Sequence, residues 1–383
     1  MRILHVTSHL NVGGVTKHLL TLAYQFQRRG HKVIIASGGG PLVQEATAHG
    51  ISHWGVPLQT SVEFSPQVFR ATQMLTERLQ VESVDILHAH TRVGQVVAER
   101  LSRRCAIPYV ATWHGFFRRN LGRRLWPCTG HLTIAISEPV RQHLLRDVYV
   151  PSERIRLIPH GIDTARFEAP VDPTTQAQAR HQMGLPPGSI VVGTVSRLVP
   201  SKGVDGLLRS VPRIRALAPG ARLLIIGDGP QRLALEQLAG QLGVRPAVHF
   251  AGALSDTRVA LSLMRVFVFL PAEQEGFGLA LLEAMASGCP IVAVRRGGGA
   301  PWVLDQGGVR EIVEPGDAEG LAQSIARLLT DQTAASRAIA DARAVVKERY
   351  SLQRMVDAVE AVYLEALAKW PRVSVRWSVA GDQ

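Results

Sequence analysis

The feature that most constrains the fold of this chain is an alternation of short apolar runs with longer amphipathic stretches. The runs in the first half are short, rich in β-formers and bounded by polar residues or glycine: RILHVTS, HKVIIASGG, DILHAH, YVATWH and LTIAIS. The stretches between them, such as VTKHLLTLAYQFQRRG, have helical spacing. Strands that alternate with helices form a parallel sheet covered on both faces. The sequence therefore predicts an α/β fold.

The alternation stops and then restarts, which divides the 383 residues into two domains, predicted over 1–168 and 169–351. Residues 163–189 contain four prolines and little periodicity, and are predicted to form a linker or domain edge. Beyond them the runs SIVVGTVSR, ARLLIIGDG, VHFAGAL, VFVFLPA and PIVAVR restart the strand pattern. Ligands bind at the carboxyl ends of the strands in such sheets, so we expect two doubly wound domains that face a cleft.

Composition narrows the class of protein. Hydrophobic residues make up 46% of the chain and charged residues 19%, as in globular cores. Three widely spaced cysteines favour neither a disulfide framework nor a zinc site, and a cytoplasmic location is expected. A formal charge of +12 favours anionic partners: nucleotide phosphates, nucleic acid or an acidic membrane face. Nucleic acid is disfavoured, because no zinc-finger, RRM or basic-heptad pattern is present.

The segment EGFGLALLEAMASG carries the strongest chemical pattern. Glu275 precedes a glycine-flanked turn, and Glu283 lies inside the helix predicted to follow, which Gly288 ends. The helical rise places the two carboxylates about 10–12 Å apart. That span suits an activated sugar, with one carboxylate at sugar hydroxyls and the other at ribose hydroxyls. The helix start offers N–H groups to a diphosphate. The pattern indicates an enzyme that handles a nucleotide sugar.

Several motifs extend this pattern along the chain. They are NVGGVTKHLL, DILHAHT, TWHGFF, AISEPV, IPHGID, SRLVPSKG, LLIIGDGP and EGFGLALLEAMASGCPIVA. In this order, they resemble the retaining glycosyltransferases of the GT-B fold, in particular family 4. The resemblance implies two Rossmann-like domains, with the acceptor held mainly by the first and the donor nucleotide mainly by the second. It also implies a C-terminal segment, 352–383, that crosses back to the first domain, and no required metal. The tail 371–383 is left unassigned.

Two cations and two carboxylates are predicted to hold the donor. Arg197 and Lys202 follow a predicted strand, where they can neutralise a diphosphate as it departs. The alternative is a pair of solvated surface cations. The resemblance places Glu275 at the donor sugar and Glu283 at the ribose. The alternatives for these two are a helix-start charge favourable to the dipole and an exposed helix charge.

Backbone groups are expected to complete the donor site. Four residues between the carboxylates are predicted to present N–H groups to sugar and phosphate: Gly276, Phe277, Gly278 and Leu279. Gly13 and Gly14 follow the first strand, where the backbone can approach donor phosphate and acceptor closely. The alternative for this pair is an ordinary strand-to-helix turn.

Histidines supply a further candidate. His114 ends a predicted strand, and its place in TWHG resembles the family HG motif, which favours contact with a sugar hydroxyl or the acceptor over a structural role. His88 and His90 alternate on one strand, and such a pair can bind metal. Because no convergent third ligand is evident, we predict no metal, and interpret His88 as structural and His90 as near the cleft.

A basic stretch, HGFFRRNLGRRLW, interleaves arginines with large apolar residues. Arg118, Arg119, Arg123 and Arg124 are predicted to contact an anionic membrane or a lipid phosphate, and the alternative is a solvated structural face. Such contacts predict a peripheral location on the inner face of the cell membrane.

The features together predict transfer of a sugar from a nucleoside diphosphate sugar to an acceptor hydroxyl, with retention of configuration. The expected acceptor is a glycan or a lipid-linked molecule. The expected process is the synthesis of a lipid-linked glycan or a surface polysaccharide, and no cofactor is expected. Two alternatives remain: a sugar nucleotide epimerase or hydrolase on the same scaffold, and a non-catalytic protein that binds glycans or membranes.

Overall fold

The computed structural model describes residues 1–117 and 126–370, which form two compact units. The first unit contains Met1–Pro159 and the C-terminal segment from Met355, and the second contains His160–Arg354. The two units therefore divide at Pro159, upstream of the residue 168 that the sequence favours. Both are α/β units with parallel sheets, as the alternation predicts.

One parallel sheet of seven strands forms the centre of the first unit. Its strands are β1 (Arg2–Val6), β2 (Lys32–Ser37), β3 (Ser52–Gly55), β4 (Ile86–Ala89), β5 (Tyr109–Trp113), β6 (Leu132–Ala135) and β7 (Ile155–Leu157). Their spatial order is β3-β2-β1-β4-β5-β6-β7. Strands β4, β5 and β6 are buried along their whole length, because helices cover both faces of a parallel sheet. The order reverses between β1 and β4, which creates a crevice at their carboxyl ends.

The helices of this unit connect successive strands. They are α1 (Gly14–Arg28), α2 (Val43–Ala48), α3 (Pro66–Val81), α4 (Arg92–Cys105) and α5 (Glu138–Arg146). In α1 the buried residues recur at helical spacing and include Leu19, Leu22 and Phe26, so one face packs on the sheet.

The C-terminal helix α15 (Leu352–Lys369) packs on the first unit, which confirms the predicted return of the chain. Tyr363 is fully buried, and its hydroxyl lies 2.5 Å from Nδ1 of His88. On the same helix, Glu360 accepts from the Arg29 guanidinium and lies 2.7 Å from Nε2 of His31. Buried packing and charged hydrogen bonds therefore hold the helix in place.

The second unit is built on a parallel sheet of six strands. They are β8 (Ile190–Val195), β9 (Ala221–Ile226), β10 (Val248–Gly252), β11 (Val266–Phe269), β12 (Ile291–Val294) and β13 (Glu311–Val313). The spatial order is β10-β9-β8-β11-β12-β13. Strands β9 and β10 extend the sheet to one side of β8, and β11, β12 and β13 extend it to the other. The reversal between β8 and β11 opens the second crevice.

The helices of the second unit include two that the sequence did not predict. The set is α6 (Thr164–Glu168), α7 (Pro173–Gln182), α8 (Val204–Leu217), α9 (Arg232–Gln241), α10 (Arg258–Ser262), α11 (Leu279–Ser287), α12 (Ala300–Leu304), α13 (Ala318–Thr330) and α14 (Gln332–Arg349). Of the two interpretations of 163–189, a linker is wrong, because α6 and α7 lie there, whereas a domain edge agrees with a second unit that begins at His160. The carboxylates of Asp163 and Asp172 accept from the Arg166 and Thr175 N–H groups at 3.1 and 2.9 Å, and these caps begin the helices.

Candidate active site

The loop after β8 lies at the crevice of the second sheet and carries Arg197 and Lys202. Arg197 is exposed two residues after the strand, and Lys202 ends a short 3-10 turn, Pro200–Lys202. The Leu198 N–H donates to the Asp228 carbonyl of the next loop at 3.0 Å. The turn after β9 packs tightly against the loop after β8. A Cβ atom on Gly227, whose φ is +136°, would lie 1.8 Å from the Ser196 carbonyl oxygen. Only glycine suits that position.

Lys202 forms an ion pair with Glu275, which follows β11. Their side chains are 13% and 22% exposed, so solvent screens the pair only in part. The Glu275 carbonyl accepts from the Gly299 N–H at 2.6 Å, and an Arg296 N–H group donates to the Ser201 carbonyl at 3.2 Å. These bonds join the loops after β8, β11 and β12. A flexible cation and a carboxylate thus meet where the strand order reverses.

Helix α11 begins beside this pair. Gly278 precedes the helix with φ +104°, and a Cβ atom there would lie 2.6 Å from the Phe269 ring. Gly276 and Phe277 are buried, and the Phe277 ring packs against Tyr350 at 5.5 Å between centroids. Leu279, half-buried, is the first residue of α11. The N–H groups of the first turn of α11, which have no partner within the helix, therefore lie just after Glu275 in the chain.

Glu283 lies within α11 and is 4% exposed. The Thr257 hydroxyl donates to its carboxylate at 2.5 Å. A buried carboxylate is costly unless it is hydrogen-bonded, so this position is specifically supported. The prediction that Glu283 lies inside a helix is confirmed, and the alternative of an exposed helix charge is wrong. Thr257 was not predicted, since no motif marks it.

Gly13 and Gly14 begin α1 at the crevice of the first sheet. Gly13 is extended with φ 168°, and a Cβ atom there would meet no atom of the described residues within 4 Å. Neither space nor backbone conformation therefore requires glycine at position 13. Helix α1 has no acidic residue in its first turn, so its positive end is free of a local carboxylate.

A polar cavity of about 670 Å³ lies at the same crevice. Hydroxyl- and amide-bearing side chains line it: Ser8, Asn11, Gln59, Thr60, Ser61 and Thr91. Arg92 also lines the cavity, but its guanidinium pairs with Glu63 at 2.8 Å. Most of the lining side chains therefore carry hydrogen-bonding groups, and the charge of Arg92 is compensated by Glu63.

His114 follows β5 and is half-buried. Its Nε2 lies 3.3 Å from Nδ1 of His90, whose Nε2 lies 2.9 Å from Nδ1 of His5. Burial disfavours the charged imidazolium and holds the pKa values of His90 and His114 well below the usual range. His88 bonds to the Thr112 hydroxyl at 2.7 Å and to Tyr363, as expected of a structural residue. The sequence did not indicate that His5 and His18 join this cluster.

The four arginines of the basic stretch, Arg118, Arg119, Arg123 and Arg124, lie outside the described residues. Across 1–117 and 126–370, no helix combines the length and the apolar character needed to cross a bilayer.

Both halves of the chain match family models of glycosyltransferases. The family model described as Glycosyltransferase Family 4 matches residues 12–166, and Glycosyl transferases group 1 matches residues 175–345. The D-inositol 3-phosphate glycosyltransferase of Acidothermus cellulolyticus is 32% identical over 74% of this chain and 68% of its own length. The N-acetyl-α-D-glucosaminyl L-malate synthase of Bacillus anthracis is 26% identical over 94% of this chain and 96% of its own.

Solved structures agree in fold. The structure of Anabaena HepE in complex with UDP-glucose has a TM-score of 0.80 and 22% identity, covering 96% of this chain and all of that one (100%). The two parallel Rossmann-like units have the GT-B fold, and the family models make the protein a glycosyltransferase of that fold. Within that class, the chain belongs to glycosyltransferase family 4.

Proposed function

We propose that this glycosyltransferase moves a sugar from a nucleoside diphosphate sugar to an acceptor hydroxyl, with retention of configuration. The observation that carries the proposal is the ion pair of Lys202 with Glu275 beside the start of α11. A diphosphate that enters this crevice meets a lysine, the nearby Arg197 and the positive end of a helix. A relative's printed activity, the D-inositol 3-phosphate glycosyltransferase, supports the same class of reaction.

Lys202 changes partner in the proposed reaction. In the structure it pairs with Glu275, and when the donor binds it turns to the diphosphate, where negative charge grows as the glycosidic bond breaks. Glu275 is then released to accept from a sugar hydroxyl. Arg197, exposed in the same loop, adds the second cation. Because protein cations neutralise the leaving group, we propose that transfer requires no metal, and EDTA should leave the rate undiminished.

The remaining donor contacts are proposed from the family resemblance, and the burial and hydrogen bonds of these residues support them. Glu283 is proposed to accept from the ribose hydroxyls, and Thr257 holds the carboxylate for that role. The N–H groups of residues 276–279 are proposed to face the sugar and phosphate, and Gly13 and Gly14 to allow close approach of the backbone. His114 is proposed to contact a donor-sugar hydroxyl through its neutral imidazole. The acceptor attacks from the side that the diphosphate leaves, and a phosphate oxygen takes its proton.

The acceptor is proposed to bind in the polar cavity of the first unit. The lining of hydroxyl and amide groups supports a molecule rich in hydroxyls. We place the reaction in lipid-linked glycan or surface polysaccharide synthesis, at the inner face of the cell membrane. The formal charge of +12 supports contact with anionic lipid. Exchange of the four arginines at 118, 119, 123 and 124 for serine should reduce sedimentation with anionic vesicles, and unchanged sedimentation would contradict the membrane contact.

The direct test uses a panel of labelled nucleotide sugars with and without acceptors. Transfer predicts label in product only when an acceptor is present. Label released equally without acceptor would indicate a hydrolase, and an interconverted donor would indicate an epimerase. If calorimetry finds no binding of UDP, GDP or ADP, a non-catalytic glycan- or membrane-binding role replaces the proposal. The anomeric configuration of the product, read by NMR, tests retention.

A further inference from the structure

Five histidines converge at the crevice of the first sheet. They are His5 on β1, His18 on α1, His88 on β4, His90 directly after β4, and His114 directly after β5. Strand β4 lies between β1 and β5 in the sheet, so residues far apart in sequence come side by side. The sequence expectation that the His88–His90 pair lacks a convergent third histidine is therefore corrected by the fold.

Two groups of three histidines have ring nitrogens close enough to share an ion. In each group the nitrogens lie within 4.8 Å of one another: His5, His88 and His90 in one, and His18, His90 and His114 in the other. The first group is poorly suited, because both nitrogens of His88 already face hydroxyl groups, of Tyr363 at 2.5 Å and Thr112 at 2.7 Å. The second group also includes the half-buried His114, which gives it a route to solvent.

We propose that His18, His90 and His114 form a binding site for one divalent transition metal ion of the zinc type. Nδ1 of His90 and Nε2 of His114 are 3.3 Å apart. Two nitrogens that each lie about 2.0–2.1 Å from a tetrahedral ion are separated by about 3.3–3.4 Å. The observed distance between these two nitrogens therefore equals that expected for two histidines bound to one ion. The ligand nitrogen of His18 lies within 4.8 Å of the other two, so a small movement of this side chain completes the third side.

The surroundings of the site favour an ion bound by imidazole. Nε2 of His90, on the side away from His114, lies 2.9 Å from Nδ1 of the fully buried His5, which can fix the ring as outer partners of zinc-bound histidines do. Imidazole suits Zn²⁺, Co²⁺, Ni²⁺ and Cu²⁺, whereas Mg²⁺ and Ca²⁺ prefer oxygen.

Occupation of the site would oppose catalysis. Three protein ligands leave a fourth position open for water or an anion, as in other three-histidine sites. The ion would hold the His114 nitrogen that lies toward His90 and fix the ring, so His114 could not adjust to a donor sugar. This consequence, unlike the metal site itself, rests on the proposed function. We therefore expect the ion to inhibit transfer rather than support it.

The test titrates the full chain, freed of metal with EDTA and then dialysed, with CoCl₂. Tetrahedral Co²⁺ has an intense visible absorption, which should rise to one ion per chain and disappear when ZnCl₂ displaces it. His18→Asn and His90→Asn should lose the absorption, while His49→Asn, an exposed histidine of the same unit, should keep it. Circular dichroism in EDTA establishes which variants are folded. No absorption in the unaltered chain, or full absorption in folded His18→Asn, would overturn the proposal.

A second variant at position 18 tests the site even if His18→Asn does not fold. His18→Cys keeps a ligand at position 18, so a bound Co²⁺ should show an added sulfur-to-metal charge-transfer band in the near ultraviolet. A normal visible spectrum without that band would place position 18 outside the site and overturn the proposal. These spectra need no donor or acceptor, so they stand even if no transfer is found. Where transfer is measurable, Zn²⁺ should abolish it and EDTA should restore it, and an unchanged rate in the Zn²⁺-loaded protein would refute inhibition.

Discussion

Acid should destabilise the first unit through its buried histidines, and His5 allows the size of the effect to be worked out. His5 is fully buried, and burial together with the charge of neighbouring His18 lowers its pKa from 6.5 to about 3. In the unfolded chain the same imidazole takes up a proton as the pH falls below 6.5. Folded stability that depends on neutral His5 is therefore complete above pH 6.5 and is lost progressively as the pH falls toward 3.

The magnitude follows from this difference in pKa. At pH 5 the unfolded chain has protonated His5 and the folded chain has not, across about 1.5 pH units at about 1.36 kcal/mol each. The free energy of unfolding should thus fall by about 2 kcal/mol between pH 7.5 and 5 through His5 alone. The result depends little on the folded pKa, because pH 5 lies above it.

His5→Gln tests the effect, since it removes the titrating group and keeps a polar side chain. Urea unfolding in EDTA, followed by the fluorescence of buried Trp113 on strand β5 of the same sheet, should show that the variant loses about 2 kcal/mol less stability between pH 7.5 and 5 than the unaltered chain. His49→Gln, a histidine removed outside the cluster, serves as the control. An identical pH dependence in the unaltered chain and in His5→Gln would refute the reasoning, whatever their stabilities at pH 7.5.

Three further outcomes test the site and the fold. Lys202→Ala should lower kcat about 100-fold, because leaving-group stabilisation is lost, while the exposed Lys347→Ala on α14 should change it little; equal effects would remove Lys202 from that role. Glu283→Gln should raise the donor KM about tenfold or more, through weaker bonds to ribose hydroxyls, and an unchanged KM would contradict the assignment. Gly227→Ala should cost more than about 3 kcal/mol in thermal or urea unfolding, because its Cβ atom has no room and its φ is +136°, whereas Gly13→Ala should cost less than about 0.5 kcal/mol. Similar losses for the two glycines would contradict the packing argument.

The helices α6 and α7 were not predicted, although the sequence contains the residues that cap them. The segment 163–189 was predicted as a linker or a domain edge because it has four prolines and little apolar periodicity. Its two helices are short and mostly exposed, so they carry little of the pattern that marks a buried face. The capping residues Asp163 and Asp172 were nevertheless present, the latter followed by Pro173 at the first helical position. Caps give a helix boundary even where amphipathicity is weak.

The candidate site was predicted by two different routes. The acidic pair Glu275 and Glu283 followed from helix spacing, but their assignment to sugar and ribose came from the resemblance. The meeting of Lys202 with Glu275 could not follow from periodicity, since 73 positions separate the two residues. Buried Thr257, which holds Glu283, has no motif at all.

The sequence by itself determined that the chain forms two parallel sheets covered by helices. A strand buried on both faces is a short apolar run, and a helix buried on one face has apolar residues at helical spacing, so short segments display both patterns. Only the tertiary structure decided which strands are neighbours, and hence that β4 lies between β1 and β5 and that β8 lies beside β11. The histidine cluster and the Lys202–Glu275 pair both depend on those choices. Local patterns report whether a residue is buried, while the identity of its partners is set by strand order, which no single segment contains.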